Sequence, residues 1–137
     1  MKLLILNGPN LNLLGQRDVQ IYGSQTFEEY FSSLKLKFPD LELQYLQSNV
    51  EGELINYLQE TKADGVIFNA GGYTHTSVAL RDCIDAITVP VVEVHISNIA
   101  KRESFRHESF LTPVCIGSIM GFGLQSYELA ILHFSRS

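Results

Sequence analysis

The chain has 137 residues, 45% of them hydrophobic and 18% charged, a composition that buries one core of ordinary domain size and excludes a disordered, collagen-like or low-complexity polypeptide. Ten basic against fifteen acidic side chains leave a formal charge of −5, which repels a polyanion and sets nucleic-acid binding aside. No apolar run approaches the roughly 20 residues that a bilayer requires, so no membrane span is expected and the protein is placed in the cytoplasm.

Short apolar runs alternate with amphipathic stretches, the pattern of βαβ units around a parallel sheet. Leu3 to Leu6 is a continuous apolar run, as a strand covered on both faces should be. Thr26 can cap a helix in which Phe27, Tyr30, Phe31, Leu34 and Phe38 recur at helical spacing before Pro39 closes it. Leu41 to Leu46 alternates like an edge strand, and Leu54, Ile55 and Leu58 mark the next helix. Gly65 to Phe68 reads as a third strand. Leu80, Cys83, Ile84 and Ile87 form a buried helical stripe that ends before Pro90, and Val91 to Val94 is a fourth strand. The stretch from His95 to Pro113 is longer than a usual connection and reads as a short helix or a functional loop. Cys115 to Ile119 is the fifth strand, and Leu124, Tyr127, Ile131 and Phe134 give the last helix its apolar face.

Five strands with four or five helices fit an α/β, flavodoxin-like, doubly wound five-stranded parallel sheet, with residues 1–137 as one domain. In such sheets ligands bind beyond the carboxyl ends of the strands where strand order reverses, here between the first and third strands. Cys83 and Cys115 form no C-x-x-C pair and read as buried core residues. The histidines show no H-x-x-x-H spacing, so no metal site is expected.

Three segments after the strand ends carry more polar residues than plain turns need. Asn7 to Gly23 is long enough for a lid, with Gly15 and Gly23 bracketing Arg17 and Tyr22 like hinges; a packed surface loop with Arg17 paired to Asp18 or Asp40 is the plainer alternative. Asn69 to Ser77 brings two glycines ahead of a helix N-terminus, a setting for an anionic oxygen. His75, Ala79 and Asp82 are spaced to share one helical face, which is either functional or simply solvated. His95 ends the fourth strand, where an imidazole of ordinary pKa near 6.5 serves as acid or base, or else is a satisfied core histidine. Arg102 and Arg106, at i and i+4, can present both guanidiniums on one face to a small acidic substrate. A phosphate-accepting receiver of this topology would need acidic residues where Asn7 and Asn69 stand, and a flavin module would need a Ser/Thr/Gly phosphate loop where Asn7-Gly8-Pro9-Asn10-Leu11-Asn12 runs.

Together these segments resemble the type II 3-dehydroquinate dehydratases. The likeness runs from Asn7 to about Ala130 and is carried by Asn7 to Gly15 with Arg17 and Tyr22-Gly23, by Asn69 to Gly72 with Thr74 to Asp82, and by Glu93 to Asn98 with Arg102-Glu103 and Phe105-Arg106-His107. One departure is Val19-Gln20, where the family often carries a proline; it bears on the lid and not on the catalytic positions. The resemblance implies a carbon–oxygen lyase that reversibly removes water from 3-dehydroquinate through an enolate, in aromatic amino acid biosynthesis by the shikimate pathway or in quinate breakdown, with no metal, nucleotide or Schiff-base lysine. It implies Tyr22 as base, Arg17 as the cation that holds Tyr22 ionised, and His95 as acid, oriented by Glu93. Asn69 would order the hydrogen bonds at the enolate oxygen, Ile96 and Ser97 would grip the substrate carboxylate, and His75 and Arg106 would contact its hydroxyls. It further implies trimers assembled into a homododecamer, with Asp82 entering a neighbour's site.

The chemistry is consistent with those residues. An enolate needs a base, hydrogen bonds for the oxyanion and an acid for the leaving hydroxyl. Lowering a tyrosine from about 10 by two to three pH units takes roughly 3–4 kcal/mol of preferential phenolate stabilisation, which a guanidinium under a closed lid can supply. Two alternatives stand beside this reading: a catalytically silent homologue acting as a binding or assembly module, and a lyase for another hydroxylated cyclic acid.

Overall fold

A computed structural model describes residues 1–16 and 19–136, apart from the side chains of Ile21 and Tyr22. Five parallel strands, β1 (Lys2–Asn7), β2 (Glu42–Gln47), β3 (Gly65–Asn69), β4 (Val91–His95) and β5 (Gly117–Met120), lie in the order β2-β1-β3-β4-β5. Strand order reverses between β1 and β3, as the sequence predicts. Parallel neighbours need crossovers: the helices α1 (Val19–Tyr22), α2 (Phe27–Lys37), α3 (Glu51–Glu60) and α4 (Val78–Ala86) lie on the first three, and α5 (Gln125–Ser135) follows β5.

The pleat of β1 explains the two-sided packing. Leu3 and Ile5 point into a core shared with Phe27 and Leu34 of α2 and with Tyr127 and Ile131 of α5. Leu4 and Leu6 point the other way, onto Leu54 and Leu58 of α3 and Leu80 and Ile84 of α4. Alternate residues on a strand face opposite sides, so a run of four apolar residues serves two cores at once. Both helix starts after polar turns are capped: the Thr26 hydroxyl accepts from Glu29 N at 3.2 Å, and the Ser77 hydroxyl accepts from Leu80 N at 2.9 Å while donating to Glu51 Oε2 on α3 at 2.5 Å. Such caps satisfy amide protons that the first turn leaves unpaired.

Three sequence expectations change. The fifth strand begins at Gly117, not Cys115, because Thr112–Val114 with its proline forms a 3-10 turn and Cys115 N is spent on the Leu111 and Thr112 carbonyls. Cys115 is half-buried rather than buried, and burial, with the Glu93 charge nearby, pushes its thiol up to about 12; Cys83 is buried as expected. The stretch after β4 is neither one helix nor open loop but three single 3-10 turns, Ile99–Lys101, Ser104–Arg106 and Thr112–Val114. No helix among the described residues is long and apolar enough to cross a membrane.

Candidate active site

The cleft opens beyond the carboxyl ends of β1, β3 and β4. It is lined by the Pro9–Leu11 turn and Leu14, by Asn69, Gly71, Gly72 and His75, and by His95, Ile96, Ser97, Ile99, Arg102 and Arg106. Asn7 and Asn69 stand opposite each other in the β1–β3 register, so the strand pairing itself puts two buried amides at the reversal point. Gly8 follows at once because the loops after β1 and β3 touch there: a Cβ on it would lie 2.5 Å from the Ala70 carbonyl oxygen, and its own N–H donates to Asn69 O at 2.7 Å. Gly71 has φ +60°, a left-handed conformation that glycine adopts without penalty, and it turns its N–H onto Asn69 Oδ1 at 3.1 Å. Asn10, also left-handed at φ 70°, is held by Asn49 Oδ1, which accepts its N–H at 3.0 Å.

His95 is 5% exposed, and its Nε2 lies 2.7 Å from Glu93 Oε2. The same carboxylate accepts from the Ser109 hydroxyl at 2.6 Å and, through Oε1, from the Thr112 hydroxyl. Burial works to raise the Glu93 pKa, but the His95 hydrogen bond and charge and the two hydroxyls together outweigh it and hold the group at about 2. A carboxylate with three donors stays ionised, so Nε2–H donates to Glu93 and Nδ1 is the ring nitrogen left for chemistry.

His75 stacks near His95, with ring centroids 6.4 Å apart at 21°. Its Nδ1 donates to the Glu108 carbonyl at 2.7 Å; a carbonyl only accepts, so Nε2 of the neutral ring is an acceptor. The two histidines are thus braced by one stretch of chain, Glu108 for one and Ser109 with Thr112 for the other. Phe110 N adds a bond to Thr74 O at 2.9 Å. Arg102 and Arg106 both reach the cleft, and Glu103 stands between them, 3.8 Å from Arg102 Nε and 3.0 Å from Arg106 Nε. Two guanidiniums bring to the cleft cationic groups that the net charge of the chain hides.

Of the residues singled out in the sequence, Asn69, His75, His95, Ile96, Ser97 and Arg106 come together in the cleft, with Glu93 behind His95. Arg17 and the Tyr22 side chain lie outside the described residues. Asp82 does not line the cleft of its own chain: its side chain is 65% exposed and pairs with Arg81 at 3.1 Å. The expected shared face of His75 and Asp82 is wrong, because His75 ends a 3-10 turn, Gly71–His75, and Ser77 starts a separate helix. Arg102 follows the Ile99–Lys101 turn in extended conformation and Arg106 ends the Ser104–Arg106 turn, so the two do not share one α-helical face. Among the described residues no group of three or more His, Cys, Asp and Glu side chains is placed to hold a metal ion.

Sequence reasoning missed the supports behind the cleft. Tyr127 was only part of an apolar stripe, yet its hydroxyl donates to Asn7 Oδ1 at 2.8 Å and accepts from Asn69 Nδ2 at 2.9 Å. Ser109 and Thr112 carried no motif. The register of two asparagines at the strand ends was the one available signal for the first network.

The family profile described as dehydroquinase class II matches residues 1–135. The chain belongs to that family. The 3-dehydroquinate dehydratase of Exiguobacterium sp. is 57% identical over 133 residues, covering 96% of this chain and 92% of the relative. That of Fusobacterium nucleatum is 49% identical over 140 residues, covering 97% and 95%. The crystal structure of a type II dehydroquinase from Butyrivibrio crossotus superposes with a TM-score of 0.94 at 42% identity, covering 98% of this chain and 97% of that one. For a class II dehydroquinase, the three polar segments at the strand ends are thus the expected place for chemistry.

Proposed function

We propose that the chain, acting as one catalytic domain over residues 1–137, is a 3-dehydroquinate dehydratase of type II: a hydro-lyase that converts 3-dehydroquinate reversibly to 3-dehydroshikimate. The observation that carries this reading is the buried His95 held on an ionised Glu93 at 2.7 Å, beside Asn69 in a cleft with Arg106 and His75. That pairing supports an acid of fixed tautomer with a hydrogen-bonding amide and cations for an oxygen-rich anion.

Tyr22, as a phenolate that Arg17 keeps ionised, takes the proton next to the ketone, and the electron pair of that C–H bond moves onto the carbonyl oxygen to form the enolate. Asn69 holds the hydrogen bonds at that oxygen as its charge grows. The enolate then returns its electron pair, the carbon–oxygen bond to the hydroxyl breaks, and His95 gives the leaving oxygen a proton from Nδ1, so that water departs. Glu93 steadies the imidazolium that precedes this step. Ile96 and Ser97 receive the substrate carboxylate, and His75 and Arg106 the remaining hydroxyls. The scheme calls on no cofactor, and it runs in the cytoplasm. The exposed Asp82, outside its own cleft, suits a homododecamer of trimers in which it reaches a neighbour's site.

The test is direct. Purified protein mixed with 3-dehydroquinate should develop the ultraviolet absorbance of a conjugated enone with nothing else added. Tyr22→Phe should lose several orders of magnitude in turnover, about 10²–10⁴-fold being typical of a lost general base, while still binding substrate. Full activity in that variant would remove Tyr22 from its role, and no absorbance from the unaltered protein would remove the function.

A further inference from the structure

We propose that Tyr127, a residue of α5 outside the cleft, is a positioning residue for the reaction: its hydroxyl locks the Asn69 amide so that one amide proton is aimed at the reacting oxygen. The inference rests on the role given to Asn69 above.

The argument starts from a backbone group. Gly71 N–H donates to Asn69 Oδ1 at 3.1 Å, so the oxygen end of that amide is fixed and its nitrogen end faces Tyr127. Nδ2 then donates to the Tyr127 hydroxyl at 2.9 Å. A phenol has one proton, and it goes to Asn7 Oδ1 at 2.8 Å. Every direction in this chain follows from the one before it. Turning the Asn69 amide over would set its NH₂ against the Gly71 N–H and would demand the phenol proton that Asn7 already holds. Nδ2 carries two protons; Tyr127 takes one, and the other has no partner among the described residues, on a side chain that lines the cleft.

The core does not require this hydroxyl. The ring is 0% exposed and packs edge-on to Phe27 at 4.9 Å and against Tyr30 at 6.3 Å, contacts a phenylalanine would keep. A buried hydroxyl is tolerated only when its bonds are made, and here both go to the two asparagines at the strand-order reversal. Burial raises the phenol pKa well above its ordinary value, so it remains a proton donor throughout the working pH range.

The experiment compares steady-state kinetics on 3-dehydroquinate for the unaltered full chain and for Tyr127→Phe, Asn69→Ala, the double variant and Tyr30→Phe. Tyr30 is the control because its hydroxyl also bonds in this core, to Leu124 O at 2.6 Å, without touching the asparagines. Tyr127→Phe should lower kcat by about 10- to 100-fold, the scale of a misplaced oxyanion donor, with KM changed less than about threefold. The double variant should be no slower than Asn69→Ala, because the hydroxyl acts only through that amide. Tyr30→Phe should keep kcat while melting lower. Unchanged kcat in Tyr127→Phe, or losses that multiply in the double variant, would overturn the inference. An Asn69→Ala enzyme of normal kcat would instead overturn the role of Asn69, and this proposal with it. Should Tyr127→Phe not fold, Asn7→Ala, which frees the phenol proton, must show a kcat loss that vanishes in the Asn69→Ala background; a loss that persists there refutes the relay.

Discussion

Replacing Glu93 by glutamine keeps the side chain's shape and removes its charge. In the native protein that carboxylate accepts from His95 Nε2 and the Ser109 hydroxyl at 2.7 and 2.6 Å and from the Thr112 hydroxyl, at 1% exposure. Its pKa of about 2 against an ordinary 4.5 corresponds to about 3 kcal/mol of folding stability at neutral pH. The sign follows from the direction: the folded state binds the Glu93 proton less readily, so the contribution is complete above the unfolded value near 4.5 and is lost as pH falls through about 2. Glutamine has one acceptor oxygen and an NH₂ group where a donor must now be met, so part of the hydrogen bonding returns and the charge does not. Glu93→Gln should therefore be less stable by about 1–3 kcal/mol at pH 7, or roughly 3–10 °C in Tm for a domain of this size. Turnover should fall about 10- to 100-fold, since the imidazolium loses a charge-assisted bond worth about 1.5–3 kcal/mol. Thermal melts from pH 7 down to pH 3, with kcat against pH, read both effects: the native protein should lose stability more steeply than the variant below pH 4.5. Parallel melting curves with equal kcat would refute the reasoning, because they would mean that the buried charge does nothing for either the fold or His95.

Arg106→Ala should raise KM about tenfold or more with a smaller change in kcat, since a charge-assisted bond to a bound oxygen is lost; steady-state kinetics showing an unchanged KM would take Arg106 out of substrate contact. Gly8→Ala should destabilise the chain by about 1–3 kcal/mol, because the new carbon meets the Ala70 carbonyl at 2.5 Å and neither is a movable side chain. A melting temperature equal to that of the parent would show that the two loops can separate freely.

The sheet was legible because Leu3–Leu6, Gly65–Phe68 and Val91–Val94 are apolar enough to be covered on both sides while Leu41–Leu46 alternates like an edge, and the start of α2 because Thr26 sits one residue ahead of it. The end of β3 beside the end of β1 gave the position of the cleft. What the spacing could not show was the break at Thr76: an i, i+7 relation between His75 and Asp82 assumes continuous α-helix, and here a 3-10 turn ends at His75 before a separately capped helix begins. The same assumption failed between Arg102 and Arg106. Hydroxyls such as those of Ser109, Thr112 and Tyr127 leave no periodic trace, because their partners are distant in sequence and come into reach only when the strands pair in register.

One stretch of chain fixes both histidines, through the Glu108 carbonyl and the Ser109 and Thr112 hydroxyls, with Phe110 N tied to Thr74 between them. Length is consequently frozen there. An inserted or deleted residue between Glu108 and Thr112 would not merely lengthen or shorten a surface connection; it would offset the carbonyl for one ring from the hydroxyls for the other, so that at most one of the two could remain in place. A change in loop length can therefore be accommodated only on the flanks of this stretch, and one within it would require a different way of holding at least one imidazole.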